Sequence, residues 1–199
     1  MKVLGIDFDN TIIKYDELFH RIAFEKGLIP QDLPIQKDLV RNYLRDKGAE
    51  DKWTLIQGEV YGERIKEAVP FSGMKEILRT LKKNKISIKV ISHKTKKPYL
   101  GPKRDLHKAA MDWLKANKVI GDQDFSLKEE EVFFEITKES KIDRIIKTGC
   151  TDYLDDLPEI LEMIPNGINK ILFSPTAEKN RNKDWTIIKS WKELPSALS

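Results

Sequence analysis

Two short acidic motifs carry the side chains with the clearest chemical potential. Asp7 and Asp9 follow one short apolar run, and the adjacent residues Asp155 and Asp156 follow another. A single aspartate of this kind is commonly a helix cap. Four ionised carboxylates, however, cannot share a small volume without a compensating cation. An all-oxygen ligand set without thiolate or histidine favours a hard ion, so the sequence predicts a Mg²⁺ site if the motifs meet.

Two lysines are candidate ligands for an anion beside these carboxylates. Ser140 followed by Asp143 is typical of a capping box, which would place Lys141 at the first position of a helix. The helix macrodipole disfavours a cation there, so a lysine in that position favours an anion in front of it. If Thr137 is the cap instead, Lys138 takes the same position. Lys141 is therefore the first candidate and Lys138 the second.

The elements that must position these side chains alternate between strands and helices. Short apolar runs predict strands at about residues 2–8, 86–91, 132–136, 152–154, 170–173 and 185–188, with amphipathic helices between them. This alternation predicts the α/β class, with a parallel sheet covered by helices on both faces. Such sheets bind ligands beyond the carboxyl ends of their strands, where Ser92 would join the carboxylates.

A change of pattern between the first two predicted strands indicates an insertion. From about residue 15 to residue 70 the apolar side chains recur at helical spacing, in three stripes that end at Pro70. We therefore expect a small all-helical cap at residues 15–70. The core domain would then consist of residues 1–14 and 71–199.

Composition excludes several classes of protein. The chain has 199 residues and a formal charge of +4, from 36 basic and 32 acidic side chains, which is too dilute to indicate nucleic-acid binding. No segment approaches the roughly 18 to 20 apolar residues of a membrane helix, so no membrane partner is expected. The single cysteine, Cys150, excludes an internal disulfide and fits a cytoplasmic protein.

Taken in order, the motifs resemble those of the haloacid dehalogenase (HAD) superfamily. The corresponding segments are Asp7-Phe8-Asp9-Asn10-Thr11, Val90-Ile91-Ser92, a lysine before a helix, and Tyr153-Leu154-Asp155-Asp156. The resemblance covers nearly the whole chain and implies a Rossmann-like, three-layer α/β/α fold with a small helical cap. Asn10 stands where many relatives have glycine, and no glycine precedes the acidic pair.

The resemblance implies phosphatase chemistry on two aspartates. Asp7 would attack the phosphorus of a phosphomonoester and form an aspartyl-phosphate. Asp9 would protonate the leaving alcohol and then deprotonate the attacking water. A halide leaves without a proton whereas an alkoxide needs one, so an acid at Asp9 favours phosphoryl transfer over carbon–halogen cleavage.

The resemblance also implies the ligands of the metal and the phosphate. Mg²⁺ would be held by Asp7, the Asp9 carbonyl, and Asp155 and Asp156, one of them directly and the other through water or a second shell. Ser92 and Lys141, with Lys138 as the alternative, would bind the transferring oxygens. Thr11 would also bind the phosphate, and its side chain would orient Asp9.

The expected partner is a small phosphorylated metabolite, with a sugar phosphate or a nucleotide equally admissible. His93, Lys94 and Asn10 are possible substrate contacts. Residues 94–108 contain six basic residues and one acid, a composition that suits a solvated surface loop or a grip on a second anion. A phosphomutase or phosphotransferase is the first alternative. A polynucleotide phosphatase or nucleic-acid-binding protein that uses this loop is a further one.

Overall fold

The central feature is a parallel sheet whose middle strand is buried on both faces. The computed structural model describes residues 2–121, 127–176 and 184–199. Its strands within these ranges are β1 (Val3–Ile6), β2 (Ile13–Lys14), β3 (Val69–Pro70), β4 (Ser87–His93), β5 (Val132–Glu135), β6 (Asp152–Asp155), β7 (Asn169–Phe173) and β8 (Thr186–Ile188). Six of them form the parallel sheet in the order β5-β4-β1-β6-β7-β8, whereas β2 and β3 pair separately.

Helices follow the strands as the sequence predicts. They are α1 (Asp16–Glu25), α2 (Lys37–Asp46), α3 (Glu50–Tyr61), α4 (Met74–Lys83), α5 (Leu106–Ala116), α6 (Lys138–Lys147), α7 (Pro158–Met163) and α8 (Leu194–Ala197). Within these described elements no helix has both the length and the apolar character needed to cross a lipid bilayer. The parallel sheet flanked by helices confirms the predicted Rossmann-like α/β class.

Both faces of the sheet are covered. On one face, Val3, Ile91 and Tyr153 form a buried cluster with apolar residues of α6 and α7. Side chains alternate along a strand, so Leu4 and Ile6 point to the other face, and they are completely buried as well. A central parallel strand enclosed in this way reads as a continuous apolar run, which explains why β1 is recognisable in the sequence.

Contacts divide the chain into two units with boundaries that differ from the expected ones. The first unit is Met1–Ile13, Pro70–Lys94 and Lys115–Ser199, and the second is Lys14–Val69 with Thr95–Leu114. The helical unit therefore includes the segment 95–114 in addition to almost all of the expected cap at residues 15–70. Periodicity shows which face of α5 is apolar, but it does not show which unit that face packs against.

The helical unit has its own aromatic core. Phe19 of α1 stacks on Trp53 of α3 with ring centroids 4.8 Å apart, and the ring of Tyr61 meets Phe19 edge to face at 5.5 Å. Within the same unit, the Trp113 indole of α5 donates a hydrogen bond of 2.9 Å to the carbonyl of Ala68. This bond and the buried indole explain why residues 95–114 belong with the cap helices.

The side chains that pack against the central strand β1 leave no space for a Cβ at Gly5. A Cβ built at Gly5 would lie 2.5 Å from Cδ2 of Tyr153 and 2.8 Å from Sγ of Cys150. Real side chains do not approach so closely, and both neighbours are buried. Gly5 therefore lets the Tyr153 ring pack directly against the central strand.

We expect Gly5→Ala to destabilise the protein by about 1–3 kcal/mol, as overpacking of a dense core does. Denaturant unfolding followed by circular dichroism measures this loss. Tyr153→Leu in the Gly5→Ala background should cost less than in the parent, because it removes the ring that the new methyl group meets. Simple addition of the two losses would show that the methyl group is accommodated elsewhere.

Candidate active site

A buried ion-pair triad lies at the carboxyl end of the central strands. Asp7 directly follows β1, and its backbone N–H donates to the carbonyl of Leu154 at 2.9 Å. Asp155 is the last residue of the neighbouring strand β6. The ammonium of Lys141 donates to Oδ1 of Asp7 and to Oδ2 of Asp155, both at 2.6 Å. All three side chains are almost completely buried, so the parallel strand ends do bring these motifs together.

The start of α6 differs from the prediction that places Lys141 at the first helical position. Thr137 is the N-cap and accepts a hydrogen bond from the N–H of Ser140, so Lys138 occupies the first helical position. Lys138 does not face the triad; it pairs with Glu159 on a partly exposed surface at 3.0 Å. Lys141 lies one turn further into the helix and is the lysine that reaches the two carboxylates. Tertiary packing decides between these lysines, and the helix dipole does not.

Burial and charge act in opposite directions on the triad. Burial, with help from the Asp155 and Asp9 carboxylates, raises the pKa of Asp7 from 3.8 to about 7 against the opposing effect of Lys141. Burial lowers the pKa of Lys141, but the charge of Asp7 and the further effects of Tyr153 and Asp155 outweigh it and raise that pKa well above its ordinary value. Lys141 is therefore a permanent cation beside two carboxylates.

The carboxylates fit a hard divalent cation. Asp7, Asp155 and the half-buried Asp156 each offer an oxygen, and these atoms lie within 4.8 Å of one another. The donors are all oxygens, which suits Mg²⁺ better than a softer transition metal. Asp7 and Asp155 share the single ammonium of Lys141, so with Asp156 the cluster carries more formal negative charge than that ammonium offsets.

Asp9 is held by Lys94, one of the predicted substrate contacts. The Lys94 ammonium donates to both carboxylate oxygens of Asp9, each at 2.9 Å. Lys94 follows the last residue of β4, and its side chain is only 3% exposed. Its position at the start of a basic run gave no signal of this buried pairing, because such runs are usually solvated.

Two hydroxyl groups at the site are buried without a hydrogen-bond partner among the described residues. They are Oγ of Ser92 near the end of β4 and Oγ1 of Thr11 in the turn after β1. Thr11 does not orient Asp9 through a hydrogen bond, contrary to expectation; its carbonyl instead accepts from the Trp191 indole at 2.9 Å. Buried polar atoms normally have partners, so these hydroxyls are available to a ligand.

The remaining predicted contacts have local structural roles. Nε2 of His93 lies 3.0 Å from the carbonyl of Ile136 and donates to it. Asn10 adopts a left-handed conformation with φ of 54°, which asparagine tolerates better than most residues and which explains its place in a position where glycine is common.

The basic residues of segment 94–108 do not act as one group. Lys94 is buried in the first unit, whereas residues 95–108 belong to the helical unit. Within that unit, Arg104 pairs with Glu63 at 2.5 Å and Lys108 pairs with Asp112 at 2.6 Å. Part of the positive charge in this segment is therefore already matched by neighbouring acids.

Solved structures resemble the chain over its whole length. A protein from Clostridium difficile proposed to be a phosphatase is 16% identical, with a TM-score of 0.63, over 100% of this chain and 98% of that one. A HAD-superfamily hydrolase of subfamily IA from Geobacter sulfurreducens is 13% identical, with a TM-score of 0.60, over 100% and 97%. The chain has the fold of the HAD-superfamily hydrolases.

Other solved structures similar to the chain include one with bound magnesium and some of dehalogenases. The proposed HAD-hydrolase YfnB from Bacillus subtilis, bound to magnesium, is 13% identical over 100% of this chain and 98% of that one, with a TM-score of 0.55. Further similar structures are described as dehalogenases. No protein-family model matches the chain, and no curated protein matches it. At these identities the likeness establishes the HAD fold alone.

The raised pKa of Asp7 predicts a pH-dependent effect of Asp7→Asn on stability without divalent metal. The folded pKa of about 7 exceeds the ordinary 3.8, so the native state binds more protons than the unfolded state between these values. Stability attributable to Asp7 is therefore present at low pH and lost as pH rises towards 7 and above. Removing the charge should stabilise the protein at pH 8, by at most on the order of 4 kcal/mol, and by less than half as much at pH 5.

Denaturant unfolding with a chelator at both pH values measures this effect. Asp143→Asn is the matched control, since Asp143 is an exposed aspartate on α6. An equal change in stability for Asp7→Asn at pH 5 and pH 8 would contradict the prediction.

Proposed function

We propose that the chain is a Mg²⁺-dependent phosphatase of the HAD superfamily that hydrolyses small phosphomonoesters through an aspartyl-phosphate on Asp7. The observation that carries the proposal is the buried triad of Asp7, Lys141 and Asp155, with Asp9 two residues beyond the nucleophile. The four motifs and the HAD fold support it. A cytoplasmic location, consistent with the single free cysteine Cys150, is part of the same proposal.

The proposed reaction has two displacements at phosphorus. In the first, a carboxylate oxygen of Asp7 bonds to phosphorus while the bond from phosphorus to the leaving-group oxygen breaks. Asp9, which must enter this step protonated, gives its proton to the leaving-group oxygen. In the second, water attacks the phosphorus of the aspartyl-phosphate and gives a proton back to Asp9. The bond between phosphorus and the Asp7 oxygen breaks, and inorganic phosphate and free Asp7 are released. Splitting one displacement into two with a carboxylate nucleophile lowers each barrier.

Asp7, Asp155, Asp156 and the Asp9 carbonyl would hold Mg²⁺. When bound, the ion neutralises charge on the transferring oxygens and screens the nucleophile from the phosphate. Lys141 holds the carboxylates of Asp7 and Asp155 at fixed positions and supplies positive charge for the phosphate. These residues are fixed by strand ends and helix packing, so little reorganisation is needed when substrate binds.

The unpartnered hydroxyls support a phosphate ligand. Leaving a buried hydroxyl without a hydrogen bond costs about 1–3 kcal/mol. A phosphoryl oxygen would accept from Ser92 and recover that cost, and Thr11 offers a second hydroxyl in the turn after the nucleophile. This arrangement suits an anionic group with several acceptor oxygens.

Asp9 favours a phosphatase over a dehalogenase. A halide needs no proton when it leaves, whereas an alkoxide does, and Asp9 is the acid placed two residues after the nucleophile. A phosphomutase or phosphotransferase would use the same residues with an alcohol as acceptor. A small metabolite is the proposed substrate because part of the basic segment already has other partners: Lys94 is buried against Asp9, and Arg104 and Lys108 pair with neighbouring acids.

The first test is phosphate release from 4-nitrophenyl phosphate. We expect turnover with Mg²⁺, none with a chelator, and a loss of at least about a thousandfold in Asp7→Asn, because the nucleophile is gone. Asp143→Asn should retain parental activity. Undiminished turnover by Asp7→Asn would rule out the proposed intermediate, and transfer to an added alcohol in place of water would identify a phosphotransferase.

The two lysines of α6 give a matched pair of variants. Lys141→Met should lower kcat/KM by about a hundredfold or more, since it removes a buried charge that orients the nucleophile. Lys138→Met should change kcat/KM less than about twofold, because exposed ion pairs contribute little. Steady-state kinetics compares them, with circular dichroism to check folding. The opposite ranking would place the phosphate at the exposed lysine.

A further inference from the structure

We propose that Lys94 is a positioning residue that holds the Asp9 carboxylate in place for both of its proton transfers. The inference rests on the proposed function, since it assigns Asp9 the role of acid and base. Lys94 would then act on a catalytic side chain and would not contact the substrate.

The contacts between the two side chains restrict Asp9 strongly. The Lys94 ammonium donates to both oxygens of the carboxylate at 2.9 Å, so it limits both the position and the rotation of that group. The Lys94 side chain is 3% exposed and that of Asp9 is 22% exposed. The lysine is therefore shielded from solvent, while the carboxylate keeps an open side for a reacting group.

Lys94 is itself fixed at two further points. Its backbone N–H donates to the carbonyl of Glu135, the last residue of β5, at 2.8 Å. Its ammonium lies 5.5 Å from the centre of the Phe8 ring, within the range of a cation–π contact. An anchored backbone and an enclosed side chain distinguish Lys94 from a flexible surface lysine that reaches out to substrate.

Asp9 lies just before a turn, where an isolated β-bridge to Ile13 pairs its backbone with another residue of the sheet region. It follows Phe8 beyond the end of β1, and Asn10 after it has a positive φ of 54°. The nearby Thr11 hydroxyl makes no hydrogen bond within the described residues, so it does not hold the carboxylate. A general acid must lie within hydrogen-bond reach of the leaving oxygen, and a shift of about 1 Å can cost a hundredfold in rate.

The test compares Lys94→Met with Lys94→Arg and with Lys96→Met, a change at an exposed lysine two residues along the chain. Phenyl phosphate and 4-nitrophenyl phosphate are the substrates, because phenolate needs a proton on leaving far more than nitrophenolate does. Lys94→Met should lower kcat/KM about 10-fold to 100-fold for phenyl phosphate and less than about 5-fold for 4-nitrophenyl phosphate. Lys94→Arg should retain more activity on phenyl phosphate than Lys94→Met, and Lys96→Met should match the parent.

The second proton transfer gives an independent signature. Misplaced Asp9 would activate water poorly, so Lys94→Met quenched with acid during turnover of 4-nitrophenyl phosphate, whose first step needs little acid catalysis, should contain more phosphorylated protein than the parent. A raised KM with unchanged kcat would instead make Lys94 a substrate contact. An equal loss on both substrates without added phosphoprotein would reduce it to a structural role, and either result overturns the proposal.

A stability measurement separates this inference from the proposed function. The melting temperatures of Lys94→Met, Asp9→Asn and the double variant, measured with a chelator, report whether the two side chains interact. We expect the double variant to lose clearly less than the sum of the single losses. Additive losses would overturn the pairing even if the protein is a phosphatase. An inactive parent with non-additive losses would refute the catalytic role and the proposed function together, while the ion pair itself would stand.

Discussion

The enclosure of two carboxylates around one lysine ammonium is the constraint on which the site depends. Moving a charge out of water costs several kcal/mol, and the cost is offset only where the opposite charge is held at contact distance. Asp7 and Asp155 both meet Lys141 at 2.6 Å, so neither carboxylate is enclosed alone. A small movement of β1, β6 or α6 would leave a buried charge unpaired. The three elements must therefore be packed precisely.

That precision comes from the packing beneath the triad. Gly5 leaves room for the Tyr153 ring to lie directly against the central strand. The Tyr153 hydroxyl donates to the carbonyl of Ile91 at 2.6 Å, which links β6 to the strand on the far side of β1. The Lys141 ammonium lies 5.7 Å from the centre of the same ring. One tyrosine thus connects the three central strands with the lysine above them.

Patterns that depend on neighbours in the chain could be predicted, and those that depend on distant packing could not. All six sheet strands follow from short apolar runs, because burial on both faces leaves that signature. The start of α6 was ambiguous, since Thr137 and Ser140 each suit an N-cap and only the fold selects Thr137. The attachment of segment 95–114 to the helical unit and the pairing of Lys94 with Asp9 left no local signal.

The balance of charges at the site also favours a divalent cation. Asp7 and Asp155 share Lys141, and Asp9 has Lys94, which comes from the strand on the opposite side of β1. With Asp156, four carboxylates face two ammonium groups, which leaves a formal charge of −2. The metal-free site can lower that charge by taking up a proton, which agrees with the raised pKa of Asp7. One Mg²⁺ ion would balance it fully and leave Asp7 ionised as a nucleophile.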